Sequence, residues 1–259
     1  MKLDIYQIDA FANQVFEGNP AAVVPLKEWL PDELLQKIAV ENNLSETAFI
    51  VLEKDSYRIR WFTPGAEVDL CGHATLASGY VFFEILNHPT NEIRFNSRSG
   101  ELIVSKQGDE LVLDFPRTKI TPCEAPDVLV RGLGKQPIES YLCDDYMLVF
   151  ESEQDIASMQ PDFNALGQVE CRGIIVTAAS NEYDFVSRFF TPQCGINEDP
   201  VTGSAHCALA PYWAEKLDKR SLNARQISSR GGNLRCDVVG DRVFIAGKAI
   251  KYLQGTIEI

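Results

Sequence analysis

The sequence predicts an α+β fold of two pseudo-symmetric lobes, each a mixed, mostly antiparallel sheet wrapped around a central apolar helix. Three observations carry that expectation. RWFTP at Arg60–Pro64 returns as RFFTP at Arg188–Pro192, 128 residues later. NSRSGEL at Asn96–Leu102 is matched without a gap by SSRGGNL at Ser228–Leu234, at an offset of 132, and the match runs on from Gly108-Asp109 to Gly240-Asp241. Finally, His73–Leu86 (HATLASGYVFFEIL) and Ser204–Leu217 (SAHCALAPYWAEKL) are apolar nearly all round, the mark of helices enclosed by protein. Two collinear echoes at nearly one offset indicate an internal duplication with a short insertion between Pro192 and Gly203. The period is too long for a solenoid.

The remaining elements follow in order. Strand patterns cover Leu3–Ile8, Ala21–Pro25, Thr47–Leu52, Arg58–Phe62, Leu102–Ser105 and Leu111–Phe115 in the first half. The second half offers Ser140–Cys143, Met147–Phe150, Gly173–Thr177, Phe185–Phe190, Arg225–Ser228 and Val243–Ala246. Asp32–Asn42 reads as an amphipathic helix with Leu34, Leu35, Ile38 and Ala39 on one stripe, opened by Pro31 and stopped by Asn42-Asn43. Pro211 is expected to kink the second apolar helix. The Pro-containing stretch Pro116–Pro126 divides the chain into lobes 1–117 and 118–259, and the last strand is free to pair with either.

Composition removes several function classes. A net charge of −13 disfavours nucleic acid and anionic membrane surfaces, which need Lys and Arg. A small anionic metabolite would have to be held by local dipoles. No apolar run approaches the length of a membrane span, and the N-terminus MKLDIYQIDAF carries acids inside its alternation, unlike a signal peptide. Seven cysteines without a CxxC pair read as reduced thiols of a cytoplasmic chain. GxGxxG, GxxxxGK[ST] and HExxH are absent, and Cys71-Gly72-His73 alone furnishes no closed metal site, so neither cofactor nor metal is expected. Ser204 and His206 lack the GxSxG context of a nucleophilic serine.

Each RxFTP word ends a strand and opens a loop that delivers an apolar helix. Gly72 and Gly203 stand at those helix starts, where free backbone N–H groups and a partial positive charge suit a carboxylate or phosphate. Gly72, Ala74, Thr202, Gly203 and Ser204 are therefore the candidate substrate contacts. Both glycines could instead serve close helix–sheet packing. Glu46, between a helix end and an apolar strand, is a carboxylate open to partial desolvation, as acid/base work requires; it could also be a surface residue. At an offset of 128 Ile174 stands opposite it, so the repeat does not demand an acid there.

The set GNPAAVV, SETAF, FTP…CGHAT and EDPVTGSA resembles the phenazine-biosynthesis PhzF-like family over essentially the whole chain. The resemblance implies a diaminopimelate epimerase-like fold, a homodimer, no cofactor or metal, and isomerase chemistry that moves a proton on a small carboxylated metabolite. It places the catalytic glutamate at Glu46, with His73 and Asp199 as companions and Asn19 as a substrate contact. Read alone, His73 could be a packing residue, Asp199 a helix cap and Asn19 a turn residue.

Cys71 separates two mechanisms. Related epimerases place one thiol on each face of an α-carbon, but an offset of 128 from Cys71 reaches Asp199, and Cys194 and Cys207 are out of register. A single base moving a proton between carbons fits better than two thiols. The rivals are an amino-acid epimerase or racemase and a small-anion-binding protein that kept the cleft without the chemistry.

Overall fold

The computed structural model describes residues 1–54 and 56–259 and divides into two units, Met1–Phe115 with Phe244–Ile259, and Pro116–Val243. In the first unit, apolar alternation gives β1 (Lys2–Ala10) and β2 (Asn19–Leu26), followed by α1 (Asp32–Asn42) and β3 (Glu46–Glu53). Then come β4 (Ser56–Phe62), β5 (Glu67–Val68), α2 (Gly72–Tyr80), β6 (Glu92–Ser97), β7 (Gly100–Gln107) and β8 (Glu110–Pro116). β1 and β2 are antiparallel, β2 and β3 parallel, and β3 and β4 antiparallel. β4 pairs antiparallel with β5 and parallel with β6, which continues antiparallel into β7 and β8. The buried stripe of α1 is Leu35, Ile38 and Ala39, packed with Val24, Phe49 and Phe62. α2 is enclosed as expected, with His73–Gly79 buried, but it ends at Tyr80 and passes into a π-helical turn over Val81–Ile85.

The second unit contains β9 (Thr121–Pro122), α3 (Asp127–Leu133), β10 (Glu139–Leu142), β11 (Tyr146–Val149), α4 (Glu153–Ala157), α5 (Phe163–Leu166), β12 (Ile174–Ala179) and β13 (Phe185–Thr191). β14 (Ile196–Glu198), α6 (Gly203–Leu217), β15 (Ser221–Gln226) and β16 (Gly232–Val239) complete it. Its pairings repeat the first unit's. β10 and β11 are antiparallel, β11 and β12 parallel, β12 and β13 antiparallel. β13 pairs antiparallel with β14 and parallel with β15, and β15 antiparallel with β16. The fold is thus a mixed α+β architecture in which one pairing scheme occurs twice.

The sequence left the pairing of the last strand open. The segment 118–259 does not stay together: β17 (Arg242–Gly247) leads the chain back to the first unit, where β18 (Ala249–Glu258) runs antiparallel to β1 along nearly its whole length. α6 runs unbroken through Pro211. The carbonyl that Pro211 cannot serve, that of Cys207, accepts instead from Thr118 N at 3.0 Å. Among the described residues no helix is long and apolar enough to cross a membrane, and all seven cysteines are free thiols.

The repeated word has a physical content. Arg60 donates from Nε and Nη2 to both oxygens of Glu67 at 2.7 and 2.8 Å, and Arg188 does the same to Glu198 at 2.8 and 2.9 Å. Each guanidinium also lies over its own strand's phenylalanine, Phe62 or Phe190. The fork pins the strand that leads to the helix start. The arginine–glutamate spacing grows from seven residues to ten, so most of the insertion enters as the 3₁₀ turn Pro192–Cys194 and its left-handed Gly195.

Candidate active site

Three local devices bring the first group of side chains together. Gly18 adopts φ +66°, and a Cβ there would lie 2.1 Å from the Ala10 carbonyl oxygen, so glycine alone lets the chain turn from β1 into β2. Asn19 then enters β2 opposite Ala10, fully buried. Asn43, left-handed at φ 48°, ends α1 and directs the chain into β3, whose first residue is Glu46 beside Ala21 of β2. Cys71, extended, precedes α2, and His73 is the second residue of that helix.

These side chains converge on one imidazole. His73 Nε2 lies 3.1 Å from Glu46 Oε2. On the other side of the ring, Nδ1 faces Asn19 Nδ2 at 3.2 Å and Cys71 Sγ at 3.6 Å. His73 and Cys71 are buried, whereas the Glu46 side chain keeps 17 % of its surface exposed. Glu46 Oε2 and His73 Nε2 touch at ion-pair distance, yet neither has an aligned hydrogen bond among the described residues. A group inserted beside them would find both atoms ready to bond.

Burial alone would discharge His73, but the acidic groups of Cys71 and Glu46 reverse this and hold the imidazole well above its ordinary pKa. Burial, reinforced by Glu46, pushes the Cys71 thiol up to about 11, so it is neutral at pH 7 and the carboxylate of Glu46 supplies the attraction. The amide of Asn19 suits either state of the ring. Its nitrogen donates to a bare Nδ1, and after a flip its oxygen accepts from a protonated one.

Glu46, Cys71 and His73 offer oxygen, sulfur and nitrogen within 4.8 Å of one another, donor types that zinc accepts. The carboxylate lies against Nε2 of the ring and the thiol against Nδ1. At the start of α2 the Cys71 side chain makes no regular capping hydrogen bond, although its sulfur faces the Ala74 N–H.

Asp199, Thr202, Gly203 and Ser204 gather in the second unit. Asp199 follows β14, with its N–H bonded to Phe189 O at 3.0 Å. Thr202, the extended residue before α6, does not cap the helix; its hydroxyl donates to Asp199 Oδ2 at 2.5 Å. Ser204 Oγ accepts from Arg172 Nη1 at 3.0 Å, and the same guanidinium grips the buried Asp145. His206 Nδ1 donates to Thr202 O at 2.8 Å, and burial pushes this histidine down to about 4.

The register corrects two sequence equivalences. Cys71 and Thr202 each stand immediately before a central helix, so the residue in the place of Cys71 is Thr202, not Asp199; the inserted turn had shifted the count. Glu46 precedes the first β3–β4 pair, Thr47 with Phe62, as Gly173 precedes the first β12–β13 pair, Ile174 with Phe190. The counterpart of Glu46 is therefore Gly173, not Ile174. Sequence reasoning missed Arg172 and Gln226, which hold the α6 start. Neither lies in a motif, and their contacts span 32 and 24–27 residues.

The chain matches the model of the phenazine biosynthesis-like protein family over residues 8–255. A Pseudomonas aeruginosa protein named as an uncharacterized isomerase is 54 % identical over 259 residues, covering 100 % of both chains. The crystal structure of a PhzF-family phenazine biosynthesis protein from Enterococcus faecalis is 46 % identical, covers 100 % of both chains and superposes with a TM-score of 0.97. A probable proline racemase from Agrobacterium radiobacter, 9 % identical with 99 % of this chain and 92 % of that one covered, shares the fold at a TM-score of 0.67. With its full-length match and its doubled pairing scheme, the chain belongs to the PhzF family of phenazine biosynthesis-like isomerases.

Proposed function

We propose that the protein is a cofactor-independent isomerase that moves a proton between two carbons of a small carboxylated metabolite. Glu46 is the proton carrier, with His73 and Asp199 assisting. The observation that supports this most directly is the contact of Glu46 Oε2 with His73 Nε2 at 3.1 Å, while Asn19 lies against the far side of the ring. Glu46 takes the proton from one carbon, and the neighbouring imidazolium stabilises the charge that develops on the substrate; the same carboxyl then returns the proton to a second carbon on the same face. The N–H groups of Gly72 and Ala74 at the α2 start receive the substrate carboxylate, a local answer to a net charge of −13. Asn19, Thr202, Gly203 and Ser204 are assigned to substrate contact. The reading includes a homodimer in the cytoplasm without metal.

A two-thiol epimerase is the weaker reading, because the neutral Cys71 thiol has only Thr202 as its counterpart. The test is incubation with candidate carboxylated metabolites in D₂O, read by loss of carbon-bound protons. Wild-type protein washes deuterium into an accepted substrate. Glu46→Gln, which keeps shape but cannot cycle a proton, loses about 10²–10⁴-fold in rate with the fold intact. A folded Glu46→Gln protein that exchanges at the wild-type rate ends this proposal.

A further inference from the structure

We propose that Gln226 is a positioning residue that, through Thr202, fixes Asp199 as a hydrogen-bond acceptor. Gln226, the last residue of β15, is fully buried. Its Nε2 donates to Asp199 O at 2.7 Å and to Thr202 Oγ1 at 3.2 Å, while its Oε1 accepts from Thr202 N at 2.8 Å. One amide thus holds the backbone on both sides of the Pro200-Val201 segment.

The direction of the chain carries the chemistry. An amide nitrogen only donates, so the lone pair of Thr202 Oγ1 that faces Gln226 is occupied and the single hydroxyl proton is turned to Asp199 Oδ2, 2.5 Å away. Asp199 Oδ2 accepts a charge-assisted hydrogen bond from that hydroxyl, which stabilises the carboxylate over the carboxylic acid. Asp199 then serves the reaction as an acceptor that orients a donor group of the substrate, and Glu46 is left to carry the proton.

The corresponding place in the first unit has no such clamp. Arg58 pairs with Asn96 as Val186 pairs with Arg225, so the residue in the place of Gln226 is Ser97, whose hydroxyl donates to Gly100 O inside its own hairpin. Charged and titratable groups near the α6 start include the Arg188–Glu198 pair on β13 and β14, the Arg172–Asp145 pair at Ser204, and His206, neutral on α6.

The inference rests on the proposed reaction only for its consequence. Its test reads Asp199 directly, by NMR titration of the ¹³C-labelled side-chain carboxyl in the full chain. Gln226→Met and Thr202→Val, each checked for folding by thermal melting, are expected to raise the proton affinity of Asp199 about tenfold, while Thr202→Ser, which keeps the hydroxyl, stays at the wild-type value. A purely structural role would lower the melting temperature without moving this titration. Folded Gln226→Met or Thr202→Val protein that titrates within twofold of wild type overturns the inference, as does Thr202→Ser behaving like Thr202→Val. Deuterium wash-in by the wild type is a separate readout, so the proposed reaction and this assignment can fail independently.

Discussion

The two units share one pairing scheme and one arginine–glutamate fork, yet at equivalent positions they carry opposite chemistry. Where the first unit begins its strand with Glu46, the second has Gly173, and a Cβ added there would lie 2.3 Å from Cζ of the Phe189 ring. Where the first unit places Cys71 and His73, the second places Thr202 and Ser204. The first unit collects the titratable groups Glu46, Cys71 and His73. The second collects groups that hold geometry, namely Gln226 on Thr202 and Arg172 on Ser204. A scaffold fixed by backbone pairing leaves the helix starts free to diverge, because their side chains contribute little to the sheet itself.

The largest effect expected within this comparison concerns the two buried histidines. His73 is held above its ordinary value by the Glu46 carboxylate beside it, and His206, with no acid beside it in the described contacts, is pushed down to about 4 by burial. The signs oppose each other. The contribution of His73, raised when folded, is complete below its unfolded value near 6.5 and is lost as pH rises through its elevated folded value. His206, depressed when folded, keeps its contribution above about 6.5 and loses it as pH falls toward 4, at a cost of about 3 kcal/mol. Imidazole NMR should show His73 charged through pH 7 and His206 neutral down to about pH 4.5. Two histidines that titrate together near 6.5 would break the contrast between the units.

A smaller effect is expected at Gly173. Phe189 is buried, so its ring cannot retreat from a new methyl group, and overpacking of this kind typically costs about 1–3 kcal/mol. Gly173→Ala should lower stability by that amount in a denaturant titration, and adding Phe189→Leu should recover part of it. An unchanged midpoint would mean that glycine is not what keeps a carboxylate out of this unit.

Much of this contrast was legible in the sequence, and the rest was hidden for physical reasons. The two RxFTP words and the two apolar helices announced the repeated scheme, because strand ends and enclosed helices leave local patterns. Glu46, His73 and Asn19 were named from short motifs, and their contact spans 27 and 54 residues. Residue counting failed wherever length had changed: the turn at Pro192–Cys194 misassigned the partner of Cys71, and a one-residue difference across the β12–β13 hairpin misassigned that of Glu46. The return of β18 to β1 was open because its pattern, exposed along most of its length, favours neither sheet. Gln226 gave no signal at all, since a buried glutamine at a strand end reads as an ordinary polar residue.

The smallest effect is expected at Cys71, and it decides between the two chemistries the fold supports. In a two-thiol epimerase this residue would have to ionise, and its removal would abolish exchange. Here burial and Glu46 push the thiol up to about 11, so at pH 7 only about one molecule in ten thousand would carry the thiolate. Its contact with His73 Nδ1, at 3.6 Å, is shared with Asn19, which retains that side of the ring when the sulfur is gone. Cys71→Ala should therefore slow deuterium wash-in less than about threefold, and Cys71→Ser, which restores a small polar neighbour to the imidazole, less still. Both should lose a modest amount of packing energy at the helix start, seen as a lower melting temperature. A folded Cys71→Ala protein as inactive as Glu46→Gln would move the proton-carrying role from carboxylate to thiol, and the contrast between the units would then have to be drawn at Cys71 and Thr202 instead of Glu46 and Gly173.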